Sequence, residues 1–248
     1  MKMMLKMRTW LLAILVISFA LVSCEKEEEE INEAQVLVEY LESAAGGNYA
    51  NTDMPAIKSA EHVKTLNTTG ANYIIDVRQA ADYSAGHIEN AVNVPATDVL
   101  DHLEGTTDDD SKDEIHIVCY SGQSAAWVTC LLRLAGYDNA FSMKFGMSSW
   151  HLDFAGSWQN NISNQYSTQF TSDVTEKGAD GDLPVLTTGY ETGEEILAAR
   201  IDAVFAEGFG PARATNAEVF GSLDNYYIVN YWVEAEYLDP GHIPGAVQ

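Results

Sequence analysis

The chain has 248 residues, of which 37 are Asp or Glu and 13 are Lys or Arg, giving a formal net charge of −24. This length is enough for one complete domain and part of another. A surface this acidic repels nucleic acid and anionic lipid head groups, so the composition excludes a nucleic-acid-binding function.

The first residues have the pattern of an export signal. Three basic residues precede the apolar segment 10–22, which is too short to span a membrane comfortably. The segment runs into Leu-Val-Ser-Cys, and this ending resembles the signal of bacterial lipoproteins, in which the cysteine is lipidated and becomes the first mature residue. We therefore expect a signal peptide over 1–23 and a lipid on Cys24. An uncleaved anchor, or an ordinary signal cut nearby, is the alternative.

An acidic tether and a helix follow the predicted lipid. Residues 25–30 are five glutamates and one lysine, typical of a solvated tether. An acidic stretch at this place also resembles the surface-export signal of some Gram-negative lipoproteins, so we expect the cell envelope, facing either the periplasm or the outside. The pattern over 31–45 predicts an amphipathic helix that packs against the folded domain, because its polar face is too acidic to bind a membrane.

The next part of the chain alternates short apolar runs with helical patterns, which favours an α/β fold. The predicted elements are a helix beginning near Ser59, a strand over 73–77, a helical turn over 82–85, a short strand over 92–95, a helix over 96–103 and an acidic loop over 104–113.

The most informative stretch is a strand, a cysteine and a helix in direct succession. The β-branched run from Ile115 to Val118 predicts a buried strand, and the pattern over 124–135 predicts a helix. Cys119 and a short loop lie between them. Backbone N–H groups converge in such a loop and the helix dipole adds partial positive charge, so the site favours a nucleophilic thiolate. We therefore expect the sulfur of Cys119 to be exposed among these amides, and a buried, inert cysteine at the end of the strand is the alternative.

Three blocks of sequence carry a family resemblance. They are Tyr73–Arg78 with Asp82-Tyr83 and Gly86–Pro95, then Cys119–Ala125, then Ala135–Tyr137 with Phe141–Trp150. In this order they resemble the rhodanese-type sulfurtransferases, over residues 54 to 151. The resemblance implies a parallel sheet with helices on both faces and a persulfide carried by Cys119. It also implies that the N–H groups of the loop hold the transferred sulfur, and the residues concerned are Tyr120, Ser121, Gly122, Gln123 and Ser124.

The loop departs from the family in its charge. Many members carry an arginine or lysine where this chain has Gln123, Ser124 and Ala125. Thiosulfate is therefore doubtful as the natural donor. Arg78 and Lys144 are the candidates to replace the missing cation, although Arg78 could instead form an ion pair with Asp76 or Asp82, and Lys144 could be a solvated surface residue.

The remaining cysteine and histidines suggest structural roles. We expect Cys130 to be a small core residue, too far along the helix to form a disulfide with Cys119. His87 is expected to orient the turn before the next strand, and a role as a base is the alternative. No histidine and carboxylate spacing resembles a metal site, His62 and His116 look isolated, and we expect neither a metal nor a cofactor.

The C-terminal part of the chain repeats the first block. After a polar connector and an amphipathic helix over 194–207, Tyr227–Asn230 mirrors Tyr73–Asp76, and Gly241-His242-Ile243 mirrors the later Gly-His-Ile. Residues 217–248 thus look like the start of a second rhodanese-like domain that lacks a counterpart of the cysteine loop. Either the chain is a fragment of a longer protein, which we favour, or its end packs on the first domain as an incomplete module.

These observations lead to one organisation and one leading function. The predicted segments are a signal peptide (1–23), an acidic tether and helix (24–53), a rhodanese-like domain (54–155), a polar connector (156–190) and a helix with a partial second repeat (191–248). The leading function is transfer of a sulfane sulfur from a small donor through Cys119 to a thiol acceptor. A non-catalytic binding module tethered to the envelope is the alternative, and a phosphatase is disfavoured because no arginine closes the loop over phosphate.

Overall fold

The computed structural model describes residues 31–49 and 55–248. The predicted signal peptide, the lipidation site Cys24 and the acidic tether lie outside the described residues. The chain divides into a unit Met1–Asn32 and a unit Glu33–Gln248. The sheet and the helices named here belong to the second unit.

A five-stranded sheet forms the centre of the fold. Its strands are β1 (Ile57–Lys58), β2 (Asn72–Asp76), β3 (Val92–Asn93), β4 (Glu114–Val118) and β5 (Ala140–Met143). The order is β1-β5-β4-β2-β3, and every neighbouring pair is parallel. All residues of β2 are buried, as expected for a strand covered on both faces. The predicted parallel α/β fold is confirmed.

The helices of the described residues are α1 (Glu33–Glu42), α2 (Ala60–Thr69), α3 (Ala80–Ala85), α4 (Val99–Gly105), α5 (Gln123–Leu134), α6 (Met147–Trp150), α7 (Gly156–Gln159), α8 (Gly193–Glu207), α9 (Asn216–Gly221) and α10 (Glu234–Leu238). Some of them pack on the sheet and cover both of its faces.

Alternation along the strands separates the core into two clusters. Ile75 and Ile117 pack with α4, α5 and α8, whereas Ile74 and Val118 pack with α2 and α6. Successive side chains of a strand point to opposite faces, so these neighbours belong to different clusters. Cys119 follows the carboxyl end of β4, as predicted, so it lies at that edge of the sheet, between the two faces that the helices cover.

The two predicted amphipathic helices pack against each other. Gly193, at the start of α8, allows the close approach, since a Cβ built there would lie 2.2 Å from the Cβ of Tyr40 in α1. Ile201 and Phe205 then join α8 to the core below α5. The expectation that the first helix packs on the folded part of the chain is confirmed, although that helix ends at Glu42, before the predicted residue 45.

The predicted connector contains little regular structure. Between α6 and α8 the chain forms the short helix α7 and two 3₁₀ turns, at Leu152–Phe154 and Ser167–Gln169. In the described ranges, no helix has both the length and the hydropathy needed to cross a bilayer.

The C-terminal segment resembles the first block in its side-chain contacts as well as in its sequence. Rings of Tyr83 and His87 stack at 3.8 Å, and those of Tyr237 and His242 stack at 3.5 Å. In both pairs the histidine Nδ1 contacts the tyrosine carbonyl, at 2.9 and 2.7 Å. In both pairs the tyrosine hydroxyl donates to an alanine carbonyl further along the chain.

The pairing of extended segments is also alike. Val229 forms a parallel bridge with Val247 at the positions that correspond to Ile75 and Val92 in β2 and β3. The environment differs, because Val229 is 63% exposed whereas Ile75 is fully buried. This part of the chain shares local geometry with the first block but not its burial.

Candidate active site

Cys119 follows β4 directly and precedes the loop that leads into α5. Gly122 ends this loop with φ 99° and ψ −16°, a left-handed conformation that glycine adopts without a Cβ clash. Helix α5 begins at Gln123, one residue before the predicted start. The strand, loop and helix thus occur in the predicted order.

Two backbone amides point at the sulfur. Gly122 N–H donates to Cys119 Sγ at 3.1 Å, and Ala125 N–H donates at 3.4 Å. The predicted donors were residues 120 to 124, and Ala125 lies just outside that set. The arrangement holds Sγ at the amino end of α5, where N–H groups lack helical acceptors.

The side chain of Cys119 is buried, with only 2% of the residue exposed. The expectation of an exposed sulfur is wrong. Ile117 of β4 and Ala125 and Val128 of α5 belong to the same core cluster as the cysteine. A reagent must therefore approach from the loop.

Tyr120 joins the loop to the neighbouring helix α3. Its hydroxyl donates to Asp82 at 2.5 Å and accepts from the N–H of Gln79 at 3.4 Å. Burial raises the pKa of Tyr120, and the hydrogen bond to Asp82 raises it further. The other predicted loop residues differ in exposure: Ser121 and Ser124 are partly buried, and Gln123 is exposed.

A second segment, after β5, supports the loop from the other side. Met147 N–H donates to the Cys119 carbonyl at 2.8 Å, and Ser148 bonds the Tyr120 carbonyl through both its N–H (3.0 Å) and its hydroxyl (2.8 Å). Gly146 has φ +52°, and a Cβ there would lie 2.3 Å from the Cys119 carbonyl oxygen. Sequence reasoning missed Gly146 and Ser148, although both fall inside the third block of the resemblance.

Arg78 is held in a buried ion pair. Its Nη2 donates to Asp76 Oδ2 at 2.7 Å and to the Gly86 carbonyl at 2.7 Å, and its Nε lies 3.0 Å from Asp76 Oδ1. The alternative of a structural pair with Asp76 is thus the arrangement observed. The guanidinium lies 6.0 Å from the ring centre of Tyr120, so it borders the loop while its Nε and Nη2 donors are already engaged.

Lys144 lies at the rim beside an unusual aromatic residue. The lysine is exposed, and its Nζ lies 5.2 Å from the ring centre of Phe145. Phe145 has φ +61°, rare for a residue with a side chain, and its ring is 5.1 Å from that of Trp158. A Cβ on Gly122 would lie 3.2 Å from the Phe145 nitrogen, so this rim touches the cysteine loop.

Two expectations about other residues are wrong. Cys130 is exposed, because it lies roughly 200° around α5 from both Val128 and Leu132, on the opposite face of the helix. His62 and His116 are not isolated, since both contact Glu114. No disulfide joins Cys119 and Cys130, as predicted.

The histidine and glutamate cluster is partly buried. Burial lowers the pKa of His116 to about 4. Burial alone would raise the pKa of Glu114, but hydrogen bonds from Lys58 and His62 hold it below its ordinary value. The carboxylate is therefore ionised and in contact with three nitrogen atoms.

Comparison with known proteins identifies the family. Residues 59–153 match the model of the Rhodanese family, described as a rhodanese-like domain. Thiosulfate sulfurtransferase GlpE of Shewanella oneidensis is 33% identical over 78 residues, which cover 32% of this chain and 74% of that protein. The putative sulfur carrier protein YrkF of Bacillus subtilis is 23% identical over 121 residues, 48% of this chain and 63% of that protein.

Two further proteins match part of the chain. Adenylyltransferase and sulfurtransferase uba4 of Ogataea parapolymorpha is 30% identical over 88 residues, which cover 36% of this chain but only 22% of that protein. The crystal structure of a rhodanese-like domain protein from Staphylococcus aureus is 25% identical with a TM-score of 0.34, covering 38% of this chain and 90% of that one. From the family match and the relative in Shewanella, the chain belongs to the rhodanese-like family and has sulfurtransferase homologues.

Proposed function

We propose that this chain is a sulfurtransferase that carries a sulfane sulfur as a persulfide on Cys119. The observation that supports this most directly is the pair of N–H groups, from Gly122 and Ala125, directed at Sγ. Amide donors aimed at sulfur stabilise negative charge there, and the thiolate is the nucleophilic form of cysteine. The named sulfurtransferases among its relatives support the same class of reaction.

The proposed reaction has two displacement steps. In the first, the Cys119 thiolate attacks the outer sulfur of a donor persulfide. The donor S–S bond breaks, its thiolate leaves with the electron pair, and a new S–S bond forms on Cys119. In the second, an acceptor thiolate attacks that outer sulfur and Cys119 leaves as a thiolate. Each step exchanges one S–S bond for another, so no external oxidant or reductant is needed.

The loop would hold the outer sulfur during this cycle. An S–S bond is about 2 Å long, so the transferred atom extends beyond Sγ into the loop. The N–H groups of Ser121, Gln123 and Ser124 are proposed to face it. Residues at the start of α5 have N–H groups without acceptors inside the helix, which suits this role.

Charge favours a persulfide or polysulfide donor over thiosulfate. None of residues 119–125 is charged, and the guanidinium of Arg78 is occupied by Asp76. The chain also has a net charge of −24, which repels a dianion. Lys144, exposed at the rim, is the proposed substitute for the missing loop cation, and the acceptor is proposed to be a thiol.

Mass spectrometry of the intact protein tests this function. After exposure to polysulfide or to thiosulfate, we expect the wild type to gain one sulfur atom, more readily from polysulfide. Cys119→Ser should lose this gain, and Cys130→Ser, which removes an exposed thiol, should keep it. The proposal fails if Cys119→Ser is still loaded at the wild-type rate, or if no donor loads the wild type.

A binding module without catalysis is the second candidate function. The 2% exposure of Cys119 favours it, because a buried thiol reacts slowly. Alkylation kinetics of the native protein separate the two functions. Reaction of Cys119 with iodoacetamide at a rate comparable to that of exposed Cys130 favours transfer. A sulfur that reacts only after denaturation favours a module that binds a ligand at the rim.

We also propose the predicted cell-envelope location and lipid anchor. The support is the N-terminal pattern that ends at Cys24, together with the acidic residues that follow it. Expression of the whole chain in a Gram-negative bacterium with labelled palmitate tests the anchor. We expect incorporation in the wild type and none in Cys24→Ser; equal label in both would refute lipidation at this cysteine.

The partial second repeat is likewise a proposal. Its support is the stacking and pairing geometry that the predicted repeat, 217–248, shares with the first block, and the domain boundaries predicted from the sequence are proposed with it. Tyr237→Phe removes the hydroxyl that donates to the Ala246 carbonyl at 2.8 Å. We expect this variant and Tyr83→Phe to lose similar stability, about 1 kcal/mol each. An effect of Tyr237→Phe near zero would indicate that the segment does not fold as a repeat.

A further inference from the structure

A cluster of possible ligands lies at the end of β4 opposite to Cys119. Glu114 and His116 point toward α2, and His62 of that helix meets them. His62 Nε2 and His116 Nε2 each lie 2.8 Å from the same oxygen, Glu114 Oε2. At about 3.3 Å per strand residue, Glu114 is roughly 16 Å from Cys119, so this cluster is separate from the sulfur site.

One nitrogen of the cluster is buried without a hydrogen bond. His116 is fully buried, and its Nε2 has no hydrogen-bond partner among the described residues. Its Nε2 lies 2.8 Å from Glu114 Oε2, an ion-pair distance, but the pair does not have the geometry of a hydrogen bond. Unpaired buried polar atoms are uncommon in native structures and call for an explanation, such as an ion that the site binds.

We propose that His62, Glu114 and His116 bind a divalent transition metal ion, for which zinc is the best match. Their ligand atoms all lie within 4.8 Å of one another. Two imidazoles and one carboxylate are a donor set that zinc accepts, with a fourth position left for water. The side chain of His62 is 39% exposed, which gives the ion a path from solvent.

The two short contacts with Glu114 must open for an ion to fit between the ligand atoms. Ligand atoms about 2.1 Å from a tetrahedral ion lie roughly 3.4 Å from one another. The two contacts of 2.8 Å must therefore open by about half an ångström. His62 can supply much of this movement, because its ring is partly exposed and its helix lies at the surface of the sheet.

Two neighbouring side chains bear on binding. Lys58 Nζ lies 3.0 Å from Glu114 Oε1, the oxygen that does not face the histidines. Its charge weakens the attraction for a cation, but a hydrogen bond to the outer oxygen is also what orients a ligating carboxylate.

The second neighbour sets the tautomer of His116. Asn72 Nδ2 lies 3.1 Å from His116 Nδ1 and 3.0 Å from the Val63 carbonyl. With a metal on Nε2, the ring proton moves to Nδ1 and needs an acceptor. Asn72 Oδ1, which is buried and has no partner in the part of the chain that the structure describes, becomes that acceptor if the amide turns over, at the loss of the bond to Val63.

The ion would act as a clamp and not as a catalyst. It would join α2 to β4, the strand that carries Cys119 at its other end. The expected consequence of binding is a higher melting temperature, because a ligand that binds only the folded chain stabilises it.

Titration with zinc or cobalt tests the site. The full chain should carry Cys24→Ser, Cys119→Ser and Cys130→Ser, so that thiols do not bind the metal. We expect one equivalent to bind, with a rise in melting temperature and a Co²⁺ spectrum of nitrogen and oxygen ligands. In His62→Ala, affinity should fall at least tenfold, and in the matched control His151→Ala, which removes an exposed histidine, affinity should not change.

Specific outcomes would overturn the proposal. Equal affinity of His62→Ala and His151→Ala would mean that the metal binds elsewhere on the acidic surface. Absence of stoichiometric binding in the parent protein would mean that Glu114 serves only as a partner for Lys58 and the histidines. Because His62 is partly exposed, its variant should fold, and circular dichroism of the metal-free protein verifies this.

Discussion

Replacement of Gly146 by alanine tests whether the segment after β5 shapes the cysteine loop. A Cβ at this position would lie 2.3 Å from the Cys119 carbonyl oxygen and 2.9 Å from the Tyr120 carbonyl carbon. The backbone there has φ 52° and ψ −148°, which residues with a side chain rarely adopt. The substitution therefore combines backbone strain with a clash against main-chain atoms that no rotamer change can relieve.

The expected loss of stability has two parts. The strained conformation costs about 1–3 kcal/mol, and the overlap adds about 1–3 kcal/mol because one of the two backbones must move. We expect the free energy of unfolding of Gly146→Ala to be roughly 2–6 kcal/mol lower than that of the wild type. Movement of the loop should also disturb the N–H groups around Sγ and slow sulfur loading of Cys119.

Gly70→Ala is the matched control. Gly70 has φ 73°, but no heavy atom of residues 31–49 or 55–248 lies within 4 Å of a Cβ built there. Its substitution should cost only about 1–2 kcal/mol and leave sulfur loading unchanged. Urea unfolding and mass spectrometry of the three proteins provide the comparison. Equal losses of stability in the two variants, with equal sulfur loading, would refute the role assigned to Gly146.

Three further predictions concern single groups. Tyr120→Phe, which removes the hydroxyl that donates to a carboxylate of α3, should lower stability by about 1 kcal/mol and slow loading; unchanged kinetics would mean that the loop is positioned without it. Gln123→Arg should raise the rate of sulfur loading from thiosulfate relative to that from polysulfide, and this increase should become smaller as the salt concentration rises. Gln169→Arg, the same change at another exposed glutamine, should leave the ratio of the two rates unchanged. A hydrogen bond from the Thr188 backbone N–H is the largest of the causes that lower the pKa of Glu33. The contact should therefore be fully formed above the ordinary carboxyl pKa and be lost as pH falls through the lowered pKa, which an NMR titration of Glu33 would show. A Glu33 titration at or above the ordinary value would contradict this.

Local sequence patterns were enough to predict the strand, loop and helix around Cys119. A β-branched run specifies β4, and a helical pattern of apolar residues specifies α5, so the order of elements needs no distant contact. The burial of Cys119 could not be predicted in this way. It depends on how α5 lies on the sheet and on the segment around Gly146, which bonds to the loop from more than twenty residues away.

The histidine and glutamate cluster also depends on contacts between distant parts of the chain, which local sequence patterns do not reveal. Glu114 and His116 share a face of β4 because they are two residues apart, which spacing can reveal. His62 lies 52 residues from Glu114 and reaches it only because α2 packs on that face of the sheet. A search for metal-ligand spacing along one element therefore misses the cluster, whereas knowledge of the sheet order would have suggested it.

Burial of Cys119 and the class of donor are connected. A sulfur that is 2% exposed can be reached only by a slender group, and the outer atom of a persulfide is a single sulfur at the end of a chain. Thiosulfate instead brings a bulky charged sulfonate to a loop that offers no charged side chain. Shape and charge thus favour the same donor. The proposed metal site, roughly 16 Å away at the other end of β4, shares no residue with the loop, so loss of metal should change stability without changing the choice of donor.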